Sequence, residues 1–298
     1  MNPVWKRSWP IYLMIFPGLL FFIVFRYIPM GGLVLAFKDY DPFSGFSGSP
    51  WVGFDHFHRL FTQQDFWIIL RNTFVLSGIN LFFFFPIPIA MAILLNEVKL
   101  PWVRKLVQTT IYIPHFVSWV VVAGITVVLF ATQDGGINKL LAEHGRQRME
   151  LLTDPSYFQA LFLTQNIWKE MGWGTIIFLA SLASVDPGLY EAAYVDGAGR
   201  WRQLWHITLP SLRTIVVIMF ILRLGQIMDV GFEQIFLLQN SLNLSVSDVF
   251  DTYVYRNGVQ HGEFGFTTAM GLFKSVVGLV LLLTFNRLAK KFGEEGVY

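Results

Sequence analysis

The chain contains no cysteine. That excludes disulfides, thiolate metal sites and cysteine nucleophiles, and leaves the redox compartment open. Charge is scarce too: Asp, Glu, Lys and Arg make up 14% of the 298 residues, where soluble domains carry about a quarter. The formal net charge of +2 is too small to predict a polyanionic partner. A phosphate-cradling loop is also missing. It would need Gly-Lys followed by Ser or Thr, and Lys274-Ser275 is preceded by Phe273. No arrangement of serine, carboxylate and histidine has the spacing of a known catalytic motif. There is no internal repeat, no low-complexity segment and no inverted pair of broken helices. What the chain does have is 54% hydrophobic residues, with 30 Phe and 10 Trp. This composition rules out an ordinary cytosolic enzyme, a disordered chain and a nucleic-acid binder, and describes a polytopic membrane protein.

A helix needs about 20 mainly apolar residues to cross the hydrocarbon. Six stretches meet that need, at approximately 10–37, 67–96, 105–131, 157–185, 211–231 and 265–287, giving an all-α integral membrane fold in a single domain over 1–298. The charges within them are few: Arg26 in the first, Arg71 in the second, Lys105 at the start of the third, Lys169 and Glu170 in the fourth, Arg213, Arg223 and Asp229 in the fifth, Lys274 and the terminal Arg287 in the sixth. The first stretch is long and lacks a small-residue cleavage site, so no cleavable signal peptide is expected. Lys and Arg accumulate on the cytoplasmic side of a membrane. Lys6, Arg7, Lys99, Arg104, Lys105, Arg200, Arg202, Arg213, Arg287, Lys290 and Lys291 then lie inside. Lys38, Arg59, Lys139, Arg146, Arg148 and Arg256 lie outside. Both termini are expected to be cytoplasmic. The outer loops run over about 38–66, 132–156 and 232–264. In the first, Phe54, Phe57, Leu60 and Phe61 stand at helical spacing, as in a short helix at the membrane interface.

The inner segment 186–210 is unusual. Asp186 is a good N-cap with Pro187 at the first helical position, and Gly197 and Gly199 can supply the positive φ that ends the helix. A second short helix places Trp201, Leu204 and Trp205 on one face, and Pro210 separates it from the fifth span. The plain reading is a helical loop at the membrane surface. Glu191, beside small Ala192 and Ala193, offers a charge to a basic partner at close approach.

The order Glu191-Ala192-Ala193, Gly197, Ile207, Thr208, Leu209-Pro210 resembles the "EAA" signature of ATP-binding-cassette importer permeases, at full spacing and between the expected spans. Trp51-Val52-Gly53-Phe54 with Phe57 and Leu60-Phe61 resembles their carbohydrate-uptake, maltose-permease-like branch. Asp41-Pro42-Phe43 and Gly45-Phe46-Ser47-Gly48-Ser49-Pro50 resemble its complex-polysaccharide subgroup of alginate and pectin-fragment importers. The resemblance implies a type I importer permease fold in the bacterial inner membrane. It also implies a second related permease subunit, two ATPase subunits that use ATP and Mg, and an extracytoplasmic solute-binding protein. The loop would be a coupling helix seated in an ATPase cleft. Glu191 would pair with a basic ATPase residue, Ala192 and Ala193 would pack into the cleft, and Gly197 would form the turn. Asp196, Trp201, Leu209 and Pro210 complete the coupling set. No cofactor or metal is expected on this chain.

Ionisable residues inside spans are costly and face cavities or partners. Arg26, Arg71, Lys169, Arg223 and Lys274 outnumber Glu170 and Asp229, and pairing of Arg223 with Asp229 or Lys169 with Glu170 is the alternative to a charged pathway. Asn166, Lys169, Glu170 and Trp173 recur on one helical face. Arg223, Gln226 and Asp229 recur at three-residue spacing on another, with Glu233 extending the stripe outward. Polar groups beside an aromatic plate suit a saccharide, and a positive excess favours uronate carboxylates. The competing class is an ATP-independent secondary transporter or channel for a small polar solute; a membrane enzyme lacks a catalytic constellation. His56-x-His58 lacks a third ligand and reads as a solvated loop. His115, after Pro114, reads as a packing or pore-facing group. Phe82 to Phe85 with Pro86 and Pro88 reads as lipid-facing surface and a kink. Gly31-Gly32 and Gly172-x-Gly174 read as close helix approach.

Overall fold

The computed structural model describes residues 3–293 and Gly296, with side chains from Ser8 onward. The charges of Lys6 and Arg7 and both termini, which enter the expected orientation, fall outside what is described. In chain order the principal helices are α1 (Pro3–Phe22), α2 (Asp55–Thr62), α3 (Gln64–Ile79), α4 (Pro86–Glu97), α5 (Pro101–Tyr112), α6 (Trp119–Phe130) and α7 (Pro155–Ala183). There follow α8 (Pro187–Val195), α9 (Arg200–Gln203), α10 (Leu209–Gly225), α11 (Phe232–Leu238), α12 (Phe250–Val254) and α13 (Phe264–Lys291). Among the described residues there is no strand, only an antiparallel bridge between Lys38 and Trp51. Four rods are long and apolar enough to cross a membrane: Ser8–Phe37, Gln64–Glu97, Arg200–Gly225 and Phe264–Lys291. The bent pairs α5/α6 and α7/α8 bring the number to six.

Proline decides where these rods widen or break. Pro29, Pro86 and Pro210 each follow a π-helical turn, at Ile23–Tyr27, Asn80–Phe84 and Leu204–Thr208. Proline lacks an N–H and its ring meets the carbonyl four residues back, and a wider turn swings that carbonyl aside. Pro210 therefore does not separate the short inner helix from the fifth span; the helix runs through from Arg200 to Gly225. At Pro114 the outcome is opposite. The interval 105–131, expected as one span, is two helices at 94°. A tight 3₁₀ turn at Ile113–Phe116 leads into extended Val117, and Ser118 restarts the helix by accepting a hydrogen bond from the Val121 N–H at 3.3 Å. The fifth span also ends sooner than 231. Helix α10 stops at Gly225, and Gly231 at φ +82 turns the chain into α11. Gln226, Asp229 and Glu233 therefore do not continue a helical stripe.

The chain divides into two compact units: residues up to Gln63 with Val254–Phe273, and Gln64–Tyr253 with the chain from Lys274. In the first, the side chains from Trp9 to Met30 are all exposed within the chain. A helix that is apolar all round takes its cover from lipid or another chain. Above it sits a small folded loop. Buried Lys38 donates to the carbonyls of Phe46 and Ser49 and lies 4.9 Å from the centre of the Trp51 ring. Asp41 accepts from the Ser44 hydroxyl at 2.6 Å and from the Phe43 N–H, which together hold its carboxyl below the usual range. The expected amphipathic helix is α2. It buries Leu60, while Phe54 lies one residue ahead of it and is exposed. His56 bonds the Lys38 carbonyl at 2.9 Å, and Arg59 pairs with Glu263 at 2.9 Å.

In the second unit α7 is the central post. Its first half packs Phe158, Leu161 and Phe162 with Leu76, Ile235 and Leu238, and its last turns pack Phe178, Leu179 and Leu182 with Ala92, Ile111 and Leu212. Apolar side chains gain little from leaving lipid for protein, so close approach has to hold such helices together. Small residues provide it. A side chain at Gly172 would overlap the Ile111 carbonyl, one at Gly174 would reach Pro88, and one at Gly278 would meet the Gly225 carbonyl.

Candidate functional site

The second unit has a polar-lined cavity and an exposed loop. The cavity is built where the widened turn after α3 faces α7 and α10. Its larger compartment, about 430 Å³, is lined by Glu170, Trp173, Gly174, Arg223 and Gln226 with Phe84, Phe85 and Met219. A compartment of about 240 Å³ shares Phe84, Glu170 and Arg223, and adds Asn80, Trp119, Asn166, Asp229 and Gln234. Six of the eight expected pathway residues thus line it. Of the Phe82–Phe85 run, Phe82 and Phe83 face outward as expected, whereas Phe84 and Phe85 form cavity wall.

The other two, Lys169 and Lys274, are absent from the wall, because a cation at that depth needs compensation. Lys169 is buried. It donates to the His115 carbonyl at 2.6 Å, lies 3.3 Å from Glu170 and stands near the Trp119 ring. Lys274 bridges Asp229, at 2.5 Å, and Asp251. Asp229 therefore serves Lys274 rather than Arg223, and Lys169 pairs with its own chain neighbour rather than across helices. Arg71 donates to the Ser245 carbonyl at 2.7 Å and to Asn72 at 2.9 Å. Lys169 and Lys274 are thus compensated by carboxylates, and Arg71 is satisfied by a carbonyl and an amide. Among the described residues, Arg223 is the cation on the cavity wall, with no carboxylate within ion-pair distance and the Phe84 ring centre 6.0 Å away.

Asn166 has a structural as well as a wall position. It donates to Gln234 at 2.9 Å, while Gln234 donates to Gln165 at 3.0 Å and Gln165 to Thr126 at 2.8 Å. Trp173 is half exposed, and its indole lies parallel to the His115 ring at 4.4 Å. Composition and spacing gave no means of finding Asn80, Trp119 or Gln234, and for His115 they offered only a packing or pore-facing role. The nearest signal was Pro114, which marks the break that carries His115 inward.

The loop 186–210 begins with a 67° bend after α7. Asp186 accepts from the Gly188 N–H at 2.8 Å and starts α8. The end of α8 is closed by two turn bonds, Ala198 N–H to Ala193 carbonyl at 2.8 Å and Gly197 N–H to Tyr194 carbonyl at 3.0 Å, with Gly197 at φ +75. Gly199, at φ −68, is an N-cap and supplies no positive φ. Tyr190 meets Thr208 at 3.1 Å and ties the two arms together. Glu191, Ala192, Asp196, Trp201 and Pro210 are exposed, and Ala193 and Leu209 are half-buried. On both sides of the turn the loop presents apolar surface, with Val195 84% and Trp201 76% exposed alongside Leu189, Tyr194 and Trp205.

Comparison with known proteins gives concordant results. Residues 85–294 match the family model described as binding-protein-dependent transport system inner membrane component. The polygalacturonan/rhamnogalacturonan transport system permease protein YteP of Bacillus subtilis (strain 168) is 51% identical, over 97% of this chain and 90% of its own length. Protein LplB of the same organism is 50% identical, over 98% and 92%. Among solved structures, a chain of a bacterial alginate ABC transporter, in complex with an alginate pentasaccharide-bound periplasmic protein, superposes with a TM-score of 0.89. It is 40% identical, with 99% of this chain and all of that chain covered. A second structure of a bacterial ABC transporter involved in alginate import gives 0.88 at 41% identity, over 96% and 97%.

Proposed function

The chain belongs to the inner membrane components of binding-protein-dependent transport systems, and on that premise we propose that it forms half of the pathway of an ATP-driven importer for an acidic oligosaccharide. A second, related permease supplies the other half. Two copies of a cytoplasmic ATPase bind ATP and Mg, and an extracytoplasmic binding protein delivers the sugar. This chain hydrolyses no ATP, in keeping with its missing phosphate loop. It resides in a bacterial cytoplasmic membrane, with both termini and the 186–210 loop facing the cytoplasm.

One observation carries the reading: the exposed apolar surface of that loop, held out by a bonded turn at Gly197. Large exposed apolar side chains mark a surface that a partner covers. Glu191 pairs with a basic residue of the ATPase, Ala192, Ala193 and Trp201 fill its cleft, and Asp196 and Gly197 keep the turn. Leu209 and Pro210 carry the movement directly into α10, since the helix is continuous there. Closure of the ATPase pair is thereby transmitted to Arg223 and the cavity wall. Two observations support an acidic sugar: one relative named above is a polygalacturonan/rhamnogalacturonan transport permease and the solved structures are of alginate importers, and Arg223 stands on the cavity wall with no carboxylate within ion-pair distance.

The test is reconstitution in liposomes with the partner subunits and a uronate oligomer or a neutral oligosaccharide of equal length. Uptake of the uronate should require ATP hydrolysis and exceed that of the neutral sugar. Uptake by the chain alone, or with a hydrolysis-dead ATPase, would instead establish an ATP-independent transporter.

A further inference from the structure

The break between α5 and α6 carries a cluster that coupling and charge selection leave unused. Its centre is His115, on the 3₁₀ turn Ile113–Phe116. The His115 Nδ1 donates to Glu170 at 2.8 Å, since an ionised carboxylate can only accept. Its ring lies 4.4 Å from Trp173 at an interplanar angle of 5°. Its carbonyl accepts from Lys169, whose ammonium also reaches Glu170. About one turn of α7, from Lys169 to Trp173, therefore grips one residue by its ring and its backbone. The grip has no slack, because at Gly172 the backbone of α7 lies directly against the Ile111 carbonyl, one turn before His115. Phe116 adds an edge contact to Trp173.

Two of the gripped side chains, Glu170 and Trp173, are cavity wall; His115 is not. We propose that His115 is a positioning residue for saccharide passage: it backs the Trp173 indole and fixes the Glu170 carboxylate, so that the wall presents a rigid flat plate beside a fixed acceptor. This rests on the transport reading above. A sugar ring offers C–H groups on its faces and hydroxyl donors at its edge. A plate free to rotate, or a carboxylate free to swing toward Arg223, would lose the relation between the two. Rigid presentation lowers the ordering cost of binding. The ring supplies a stacking surface for Trp173 and a donor for Glu170, two separable contributions.

The experiment uses the complete transporter in proteoliposomes and compares His115→Phe, which keeps the stack, with His115→Asn, which keeps a donor, and His115→Ala, which keeps neither. Uptake and ATP hydrolysis are measured together at saturating sugar-loaded binding protein. Sugar taken up per ATP should fall about tenfold in His115→Ala and about threefold in each of the others, as expected for loss of an aromatic contact, a charge-assisted hydrogen bond, or both. An unchanged ratio in His115→Ala would overturn the proposal. So would uptake and hydrolysis falling in step in all three variants, which would make the residue a mere brace. Failure of the wild-type complex to couple uptake to hydrolysis would instead refute the transport reading itself, and the two failures are told apart by the wild-type control.

Discussion

Lys274→Met offers a sharp test of how this fold carries charge inside its apolar rods. Lys274 is 16% exposed and bridges Asp229 and Asp251, whose side chains are 60% and 26% exposed. Removing one partner of a buried ion pair typically costs about 3–5 kcal/mol, because the other charge is left uncompensated. Asp229 is largely solvated, so its share is screened to under about 1 kcal/mol. The cost then rests on Asp251, and its partial exposure brings the total to about 2–4 kcal/mol. At about 2–4 °C per kcal/mol for a chain of this size, the unfolding midpoint should fall by roughly 5–12 °C. Tryptophan fluorescence during heating in detergent measures it. The second half of the argument is rescue. Lys274→Met with Asp251→Asn leaves only the well-exposed Asp229 without its counter-ion and should recover at least half of the loss. A single variant within about 2 °C of wild type, or a double variant no better than the single, would refute the assignment of Lys274 as the counter-ion of Asp251.

Other substitutions probe the remaining parts. Glu191→Lys should abolish co-purification with the ATPase subunit while leaving the unfolding midpoint unchanged; intact association would remove Glu191 from the interface. Gly197→Val forces a β-branched residue into left-handed backbone at φ +75, a strain of about 1–2 kcal/mol, and should reduce hydrolysis-coupled uptake without loss of membrane insertion. Gly172→Val places a side chain on the Ile111 carbonyl. It should lower the unfolding midpoint by several degrees, the effect of overpacking by about 1–3 kcal/mol.

How much of this was legible beforehand depends on what each residue reports. Apolar length located the rods well, because crossing the hydrocarbon is a constraint on composition that needs no partner. The loop 186–210 was legible for a related reason. Capping at Asp186 and the left-handed turn at Gly197 are local requirements, satisfied by bonds within a few residues. Gly172 and Gly174 were read as sites of close approach and are such sites. Proline was ambiguous. It announces a disturbed helix, yet Pro86 and Pro210 are absorbed by π-turns while Pro114 ends in a 94° break. The difference lies in what receives the chain: Ser118 caps a new helix, and Lys169, Glu170 and Trp173 hold the turn at His115. Those partners lie more than fifty positions away in sequence, so no local pattern could show them.

The same distinction explains why the charge count misled. A sequence lists Arg71, Lys169, Arg223 and Lys274 as equals, but the field in a cavity depends on which carboxylates and carbonyls the fold brings to each. Lys274 meets Asp251 only because α13 runs beside α12, and Lys169 finds a carbonyl only because α5 breaks where it does. Once these are compensated, one guanidinium remains on the wall opposite Glu170. On the proposed reading, selectivity for an acidic sugar is then expected of Arg223 and its surroundings rather than of a positive pathway. Arg223→Gln should therefore cut uptake of a uronate oligomer severalfold while leaving that of a neutral oligosaccharide little changed, as measured side by side in the same proteoliposomes. Equal losses for both sugars would show that the guanidinium shapes the cavity without reading charge.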